Sequence, residues 1–288
     1  NVLYKYFKKL EYLYYKILSD KGFYIKKIQG SRMKLNVNDP GISKELLLYG
    51  FHEERTTNIV KKIIKPGMNL IELGANVGYY TLLESRLLNG KGKIFAIEPV
   101  PENFTSLNDN IKLNDHKNIE TFNLAISDKK GEFDFFLTNE SNWGSMVDPS
   151  SDKISKTMSD KLKIRHNNKI KVKAISIDDF VKENNIKEVN FIRMDIEGYE
   201  IEAIKGMKNT LKSNGNISLL IEIHNKIFSD VKKSYGPTFE FLLNNGFKPK
   251  ILIAKQDEYH DIKEENFIDL ICSYKDICSH LLMTKSNV

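Results

Sequence analysis

The sequence predicts an α/β fold, in which helices cover a mostly parallel sheet, together with a small N-terminal attachment. The chain has 288 residues, of which 41% are hydrophobic and 28% are charged, as in folded domains with a core of ordinary size. From about residue 66 onward, short apolar runs alternate with helical segments, which is the pattern of strands joined by crossover helices. A turn containing Gly74 follows the first of these runs, at the end of a strand where a parallel sheet binds its ligands.

Residues 1–50 are predicted to form the attachment and residues 51–288 the main domain. Within residues 1–20, apolar side chains recur at helical spacing with lysines between them, which predicts a basic amphipathic helix. Residues 23–25 and 33–37 flank a Gly-Ser turn signal and predict a hairpin. We expect the apolar stripe of the helix to dock onto the main domain, and contact with an anionic membrane surface is the alternative. The stripe comprises Leu3, Phe7, Leu10, Tyr14, Ile17 and Leu18.

Seven strands are predicted for the sheet of the main domain. Five of them are expected to run parallel, and the last two are expected to pair as an antiparallel edge because they lie close together in sequence. A polar segment at residues 138–169, which contains Trp143, predicts a lid over a bound ligand, and a solvated loop is the alternative. The predicted strands are residues 69–73, 93–97, 119–125, 189–195, 217–224, 247–254 and 267–274; the predicted helices are residues 79–88, 101–113, 178–184 and 200–211, with a further helix that ends at Asn244.

The turn after residues 69–73 has the composition of a nucleotide-binding loop. It reads Glu72-Leu73-Gly74-Ala75-Asn76-Val77-Gly78, and its glycines let the backbone turn sharply and approach a ligand. A loop for a diphosphate carries glycine where Asn76 stands, because the diphosphate lies against the backbone there. A nucleotide-like ligand without phosphate, such as S-adenosylmethionine, fits better, and an ordinary strand-to-helix turn is the alternative.

Two further strand ends suit the other parts of such a ligand. Glu98 ends the second strand 20 residues after Gly78, which is the position at which one carboxylate accepts both hydroxyls of a ribose. The third strand ends in Ala125-Ile126-Ser127-Asp128, where an adenine ring is expected to lie. Ser127 or Asp128 could accept a hydrogen bond from the exocyclic amine, although the same residues also suit a turn.

These segments resemble the FkbM-type family of S-adenosylmethionine-dependent methyltransferases over residues 45–250. The most specific part of the resemblance is Ile192-Arg193-Met194-Asp195-Ile196-Glu197-Gly198-Tyr199-Glu200, in which Arg193 stands where the family often has lysine. The resemblance implies a seven-stranded, Rossmann-like class I methyltransferase sheet and O-methylation of a hydroxyl on a sugar, glycan or natural-product acceptor. The residues that the loop, the strand ends and the resemblance together assign to the cofactor S-adenosyl-L-methionine are Glu72, Gly74, Ala75, Asn76, Gly78, Tyr79, Glu98, Pro99, Ala125, Ser127 and Asp195.

The ends of the fourth and fifth strands are expected to face the acceptor. Glu222 and His224 lie two apart on one strand and project to the same face, and Asp195 ends the neighbouring strand. We expect His224 to be the general base, since histidine titrates near neutral pH. Asp195 would orient the imidazole, with Glu222 as another proton acceptor, or Asp195 and His224 would hold a divalent metal, which nothing in the sequence requires. A core hydrogen bond is the alternative for His224, and a favourable charge at a helix start is the alternative for Glu197 and Glu200.

Three other functions share parts of this pattern. A nicotinamide-dependent oxidoreductase would use the same sheet, but Asn76 argues against a diphosphate. A methyltransferase acting on nucleic acid commonly has an Asp/Asn-Pro-Pro-aromatic run after the fourth strand, where this chain has Asp195-Ile196-Glu197-Gly198, so nucleic acid is disfavoured as a partner. A non-catalytic adaptor that binds S-adenosylmethionine is compatible with the same fold.

Composition gives weaker constraints on location and partners. The net charge is +6 and the isoelectric point about 8.9, with the basic residues scattered, so a polyanionic partner is only weakly indicated. Cys272 and Cys278 are too few for a disulfide framework, which predicts a reducing, cytoplasmic location. The sequence has no run of about 18 apolar residues that would span a bilayer. The chain begins with Asn1, so removal of a targeting segment stays open, as does the oligomeric state.

Overall fold

Two apolar cores lie on opposite faces of the main sheet in the computed structural model, which describes residues 2–137, 144–147, 169–254, 260–262, 266–274 and 278–286. In chain order, the elements are α1 (Val2–Ile17), β1 (Phe23–Ile28), β2 (Ser31–Asn36), α2 (Ile42–Tyr49), α3 (Glu54–Ile63), β3 (Asn69–Leu73), α4 (Tyr79–Leu88), β4 (Lys93–Ile97), α5 (Pro101–Lys112), β5 (Ile119–Phe122), β6 (Ala125–Ile126), β7 (Gly131–Phe136), β8 (Lys169–Ile175), α6 (Ile177–Glu183), β9 (Phe191–Met194), α7 (Glu200–Lys205), α8 (Lys208–Ser213), β10 (Ile217–His224), α9 (Val231–Asn244), β11 (Lys248–Ile253), β12 (His260–Asp261), α10 (Phe267–Ser273) and β13 (Cys278–Lys285).

The main sheet has the strand order β12-β11-β13-β10-β9-β3-β4-β5 within the described residues. Strands β5, β4, β3, β9 and β10 run parallel, and β13 runs antiparallel to both of its neighbours. Apart from the two-residue β12, this is the predicted mostly parallel, seven-stranded sheet, so the fold class is confirmed. Successive strand residues alternate between the two cores: Leu70 and Ile94 face one, and Ile71 and Phe95 face the other. The strand order reverses at β3 and β9, and a cleft lies at their carboxyl ends.

The antiparallel part of the sheet differs from the prediction. The sequence predicts a strand at residues 267–274, but this segment is the helix α10, in which Phe267 and Ile271 lie four apart and both face the core. The antiparallel strand is β13, and it lies between β10 and β11 rather than at the edge. A short apolar run fits either a helix or a strand, which is why the sequence pattern alone assigns this segment wrongly.

Two further predicted elements are divided in the structure. Residues 119–125 form β5 and β6, and β6 belongs to a separate three-stranded sheet with β7 and β8. Residues 200–211 form two helices, α7 and α8, which are separated at Gly206. A Cβ at Gly206 would lie 2.2 Å from the carbonyl oxygen of Ser127, so the glycine lets the helices approach the end of β6.

The N-terminal attachment contains the predicted helix and hairpin, and it shares a core with the sheet. Ile28 and Leu35 of the hairpin pack in the same apolar cluster as Leu70 of β3. The predicted packing of α1 is wrong, because the stripe from Leu3 to Leu18 is exposed. The division of the chain at residue 50 stays a prediction.

Two other predictions concern location. None of the described helices has both the length and the apolar character needed to cross a bilayer. No disulfide joins Cys272 and Cys278 in the described part of the chain. The cytoplasmic location stays a prediction.

Candidate active site

A cleft at the carboxyl ends of β3, β4, β9 and β10 collects most of the residues that the sequence assigns to a site. Gly74 lets the end of β3 approach β9: its φ is +82°, and a Cβ there would lie 2.1 Å from the carbonyl oxygen of Asp195. Of the residues assigned to the cofactor, those that line the cleft are Glu72, Gly74, Ala75, Asn76, Tyr79, Glu98, Pro99, Ala125 and Asp195.

The other two assigned residues, Gly78 and Ser127, lie outside the cleft lining. Gly78 precedes α4, and a Cβ there would lie 2.8 Å from Cδ1 of Leu107, so this glycine serves helix packing. Ser127 is buried, and its hydroxyl donates a hydrogen bond to Asp128. The segment from residue 124 to the end of β6 therefore presents an apolar surface to the cleft. Its lining residues are Leu124, Ala125 and Ile126.

Glu98 directly follows β4, and its carboxyl group is buried in the cleft. Oε2 accepts a hydrogen bond from the backbone N–H of Asn76 (2.8 Å), and Oε1 accepts one from the backbone N–H of Val100 (2.9 Å). Burial raises the pKa of Glu98 to about 7, although both N–H groups favour the ionised form. The group therefore titrates near neutral pH. Nδ2 of Asn103 also donates to Oε1 (3.5 Å), so Oε2 is the oxygen that retains a lone pair for a hydroxyl donor.

Arg193 is a buried cation beside the cleft. Nη1 donates to Oε1 of Glu72 (2.6 Å), and Nη2 donates to Oδ2 of Asp195 (3.1 Å). The guanidinium carbon lies 3.7 Å from the centre of the Tyr80 ring, in a cation–π contact. Burial raises the pKa of Glu72 to about 7 against the attraction of Arg193. Burial, together with the neighbouring Glu72, raises the pKa of Glu84 well above its ordinary value, so Glu84 is protonated at neutral pH.

His224 lies at the end of β10 among three carboxylates. Nδ1 is 3.1 Å from Oε1 of Glu200, and Nε2 is 3.0 Å from Oε2 of Glu197 and 3.7 Å from Oε1 of Glu222. Burial opposes the charged imidazolium, but the carboxylates outweigh it and raise the pKa of His224 well above its ordinary value. The side chain is 1% exposed. These neighbours therefore favour the charged imidazolium form of His224, which does not suit a general base, and the catalytic role of His224 stays a prediction.

Asp195 and Glu222 form a hydrogen-bonded carboxyl pair at the ends of β9 and β10. Burial and the neighbouring Asp195 raise the pKa of Glu222 well above its ordinary value. Burial also acts to raise the pKa of Asp195. The positive charge of Arg193 outweighs this effect, so the pKa of Asp195 is lowered. The opposite directions of the two pKa values favour the proton on Glu222 and the carboxylate form of Asp195, whose side chain is 22% exposed.

The sequence analysis does not identify Glu53, which lines this end of the cleft, or its partner His280, which lies outside the lining. Oε2 of Glu53, which follows α2, lies 3.1 Å from Nε2 of His280 and accepts a hydrogen bond from the Tyr80 hydroxyl (3.1 Å). Burial opposes ionisation of Glu53, but His280 and His52 outweigh it and lower its pKa. His280 stands opposite Glu222 on the paired strand, so a correct placement of β13 would have revealed it. No sequence motif around Glu53 marks it as a site residue.

Three groups of described side chains in this region have ligand atoms within 4.8 Å of one another, as a metal site requires. The predicted pair of Asp195 and His224 is brought together in one of them. A metal binds neutral imidazole, however, whereas the carboxylates around His224 favour its charged form. The described residues of this set form an ion-pair network, and a metal site at Asp195 and His224 stays a prediction. The groups are Asp195, Glu197 and His224; Glu222, His224 and Cys278; and Glu53, Glu222 and His280.

The predicted lid at residues 138–169 lies largely outside the described residues, and so does Trp143. Its described part, residues 144–147, reaches the cleft. Gly144 and Met146 line the cleft, and the hydroxyl of Ser145 donates to the backbone carbonyl of Glu197 (2.6 Å). The closing motion of a lid stays a prediction.

Comparison with known proteins agrees with the resemblance seen in the sequence. The family profile described as "Methyltransferase FkbM domain" matches residues 72–249. The chain is 27% identical over 157 residues to "Hexuronic acid methyltransferase AglP" of Haloferax volcanii, covering 54% of this chain and 55% of that protein. It is 28% identical over 160 residues to "2-O-methyltransferase NoeI" of Sinorhizobium fredii, covering 53% of this chain and 63% of that protein. The match thus spans less than two thirds of either relative. A solved structure, M. jannaschii TYW2 in complex with AdoMet, is similar at a TM-score of 0.46 and 14% identity, covering 93% of this chain and 87% of that one.

The substitution Glu84→Gln is expected to stabilise the protein at pH 8. Glu84 keeps its proton in the folded state but loses it on unfolding, so its contribution to stability is lost as the pH rises above the pKa of the unfolded chain. A neutral amide removes this cost, and the free energy of unfolding should rise by about 1–3 kcal/mol at pH 8 and change less at pH 5. Urea unfolding at both pH values measures this. Glu120→Gln, which alters a surface pair with Lys93, is the control and should change stability by less than about 1 kcal/mol. A loss of stability in Glu84→Gln at pH 8 would contradict the assignment of the proton.

Proposed function

Because the chain belongs to the FkbM methyltransferase family, we propose that it transfers a methyl group from S-adenosylmethionine to a hydroxyl of a sugar, glycan or similar natural product. The observation that carries the proposal is the continuity of the cleft. One end holds the buried carboxyl group of Glu98, and the other holds the carboxylates and imidazoles around Asp195 and His224. A cofactor and an acceptor can therefore bind side by side in one site.

The residues at the first end fit the cofactor. Oε2 of Glu98 has a lone pair for a ribose hydroxyl, and the apolar surface at residues 124–126 suits the face of an adenine ring. Asp195 follows β9, which lies between the strands of Glu98 and His224, so its carboxylate can face a sulfonium or an ammonium group of the cofactor. When bound, S-adenosylmethionine supplies an electrophilic methyl group.

The residues at the second end suit an acceptor with several hydroxyls. Asp195 and Glu53 can accept hydrogen bonds from them, and the protonated Glu222 can donate one. Buried polar groups left without partners are costly, so such a site favours an acceptor that supplies them. The names of the two relatives, one for a hexuronic acid and one for 2-O-methylation, support the same acceptor class.

Asp195 is the proposed general base for the acceptor hydroxyl. A base must be deprotonated and within reach of the substrate, and Asp195 is ionised and partly exposed in the cleft. His224 lines the cleft, but its raised pKa favours the protonated form, which cannot accept a proton. Its two ring nitrogens instead pair with Glu197 and Glu200 next to Asp195, which makes His224 a positioning residue.

The proposed acceptor class is tested by transfer of label from methyl-tritiated S-adenosylmethionine. The purified chain is incubated with neutral hexosides, uronic acids, oligosaccharides, RNA and protein, and the labelled products are analysed. We expect label as an alkali-stable methyl ether on a carbohydrate. Label on RNA or protein would overturn the acceptor class. Cofactor binding without any transfer would favour the adaptor instead.

Binding of S-adenosylmethionine is expected to weaken as the pH falls through 7. The ribose hydroxyls need the carboxylate form of Glu98, whereas this group takes up a proton below its pKa of about 7 in the free protein. The dissociation constant should therefore rise about tenfold between pH 8 and pH 6. Isothermal titration calorimetry measures it.

The matched variants are Glu98→Gln and Glu102→Gln, of which Glu102 is exposed on α5. Glu98→Gln should bind at least tenfold more weakly at pH 8, with no pH dependence, because hydrogen bonds to a charged group are each worth about 1.5–3 kcal/mol. Glu102→Gln should behave as the wild type. Unchanged binding in Glu98→Gln would remove Glu98 from the cofactor site.

The substitution Asp195→Asn is expected to lower kcat by about 10² to 10⁴, the usual effect of losing a positioned base. His224→Gln should lower kcat less, and the wild-type kcat at saturating cofactor should change little between pH 6 and pH 8, since Asp195 stays ionised there. Thermal unfolding checks that each variant is folded. A kcat that falls with the pH in the wild type, and loses this dependence in His224→Gln, would instead identify His224 as the base.

A further inference from the structure

The helix α1 presents its apolar face to solvent. Leu10, Phe7 and Ile17 are 44%, 59% and 71% exposed. A helix of a water-soluble domain normally turns such a face towards the core. A continuous exposed apolar surface of this kind indicates a binding surface. Its members are Leu3, Tyr6, Phe7, Leu10, Leu13, Tyr14 and Ile17, which we call the outer face of α1.

The opposite face of α1 fixes the helix in this orientation. Lys8 donates a hydrogen bond to the carbonyl oxygen of Leu48 (2.6 Å), and the hydroxyl of Tyr12 donates to the carbonyl oxygen of Val37 (2.7 Å). Tyr15 is buried, and its ring lies 4.9 Å from that of Tyr24. These contacts are polar and aromatic, whereas the aliphatic side chains point outwards. The exposure of the outer face thus follows from specific contacts on the other side.

The charges beside the outer face are basic. Lys9 and Lys16 are the exposed charged residues among the described side chains of α1. They lie seven apart and so on the same flank of the helix. Glu11, the acidic residue of α1, is half-buried and paired with Lys8. Exposed Lys21 follows in the next turn.

We propose that the outer face of α1 binds an anionic membrane surface, with the helix lying in the plane of the interface. The apolar side chains would enter the boundary of headgroups and acyl chains, and the lysines would contact anionic headgroups. Tyrosines such as Tyr6 and Tyr14 suit this boundary, because their rings are apolar and their hydroxyls are polar. The positive flank favours lipid over a second copy of this helix, which would bring like charges together. This inference is independent of the proposed methyl transfer.

Vesicle co-sedimentation of the whole chain tests the proposal. Vesicles of phosphatidylcholine with 30% phosphatidylglycerol are compared with vesicles of phosphatidylcholine alone. We expect binding to the anionic vesicles that is at least tenfold tighter than to the neutral ones and that weakens in 0.5 M NaCl. Absence of binding to the anionic vesicles would overturn the proposal.

Two substitutions on α1 and one control locate the contact. Leu10→Glu and Ile17→Glu should each weaken binding at least tenfold. Each substitution removes an aliphatic side chain that would enter the lipid and adds a negative charge, which the anionic membrane surface repels. Ile25→Glu is the control: Ile25 is 45% exposed, but it lies on the face of β1 opposite to Tyr24, away from α1. It should bind as the wild type. Equal binding of all variants to the vesicles would overturn the assignment to α1. The proposal would also be overturned if sedimentation equilibrium showed a dimer of the wild type that the substitution Leu10→Glu dissociates. Circular dichroism checks that each variant is folded.

Discussion

The buried guanidinium of Arg193 is the interaction on which the chemistry of the cleft depends. Carboxyl groups packed this closely away from water each need either a cation or a proton, because an unpaired buried charge costs several kcal/mol. Arg193 keeps Asp195 ionised, whereas Glu84 and Glu222 keep their protons. It also binds Glu72 and stacks on Tyr80. Lysine, which the resemblance leads one to expect here, has no planar fork with which to make these contacts together.

The parts of the site that the sequence predicts are those set by local geometry. The turn at Gly74 and the spacing to Glu98 are properties of one strand–helix–strand unit, and both residues lie in the cleft as predicted. The parts that it does not predict depend on contacts between distant segments. Cys278 lines the cleft, and His280 pairs with Glu53 of the cleft lining, only because β13 is inserted between β10 and β11. Glu53 reaches the cleft because the attachment packs against β3 and α4. Neither placement leaves a periodic signal in the sequence.

His224 shows why a residue type alone does not assign a role. Histidine titrates near neutral pH in water, and this is the basis of its prediction as a base. In the structure it lies among Glu197, Glu200 and Glu222, all contributed by the same two strand ends and the helix between them. The sequence shows these carboxylates but not that all three face one imidazole. The local charge therefore moves the proton-accepting role, in our proposal, from His224 to Asp195.

The N-terminal attachment belongs to the site as well as to the surface. Its hairpin completes the core on one face of the sheet, and α2 contributes Ile42 to the cleft. The connection that follows α2 contributes His52 and Glu53. Because α1 packs on α2 and α2 contributes Ile42 to the cleft, one helix contacts both α1 and the site. A lipid surface held by α1 would therefore set the orientation in which the cleft meets an acceptor, without any residue of α1 touching the reaction.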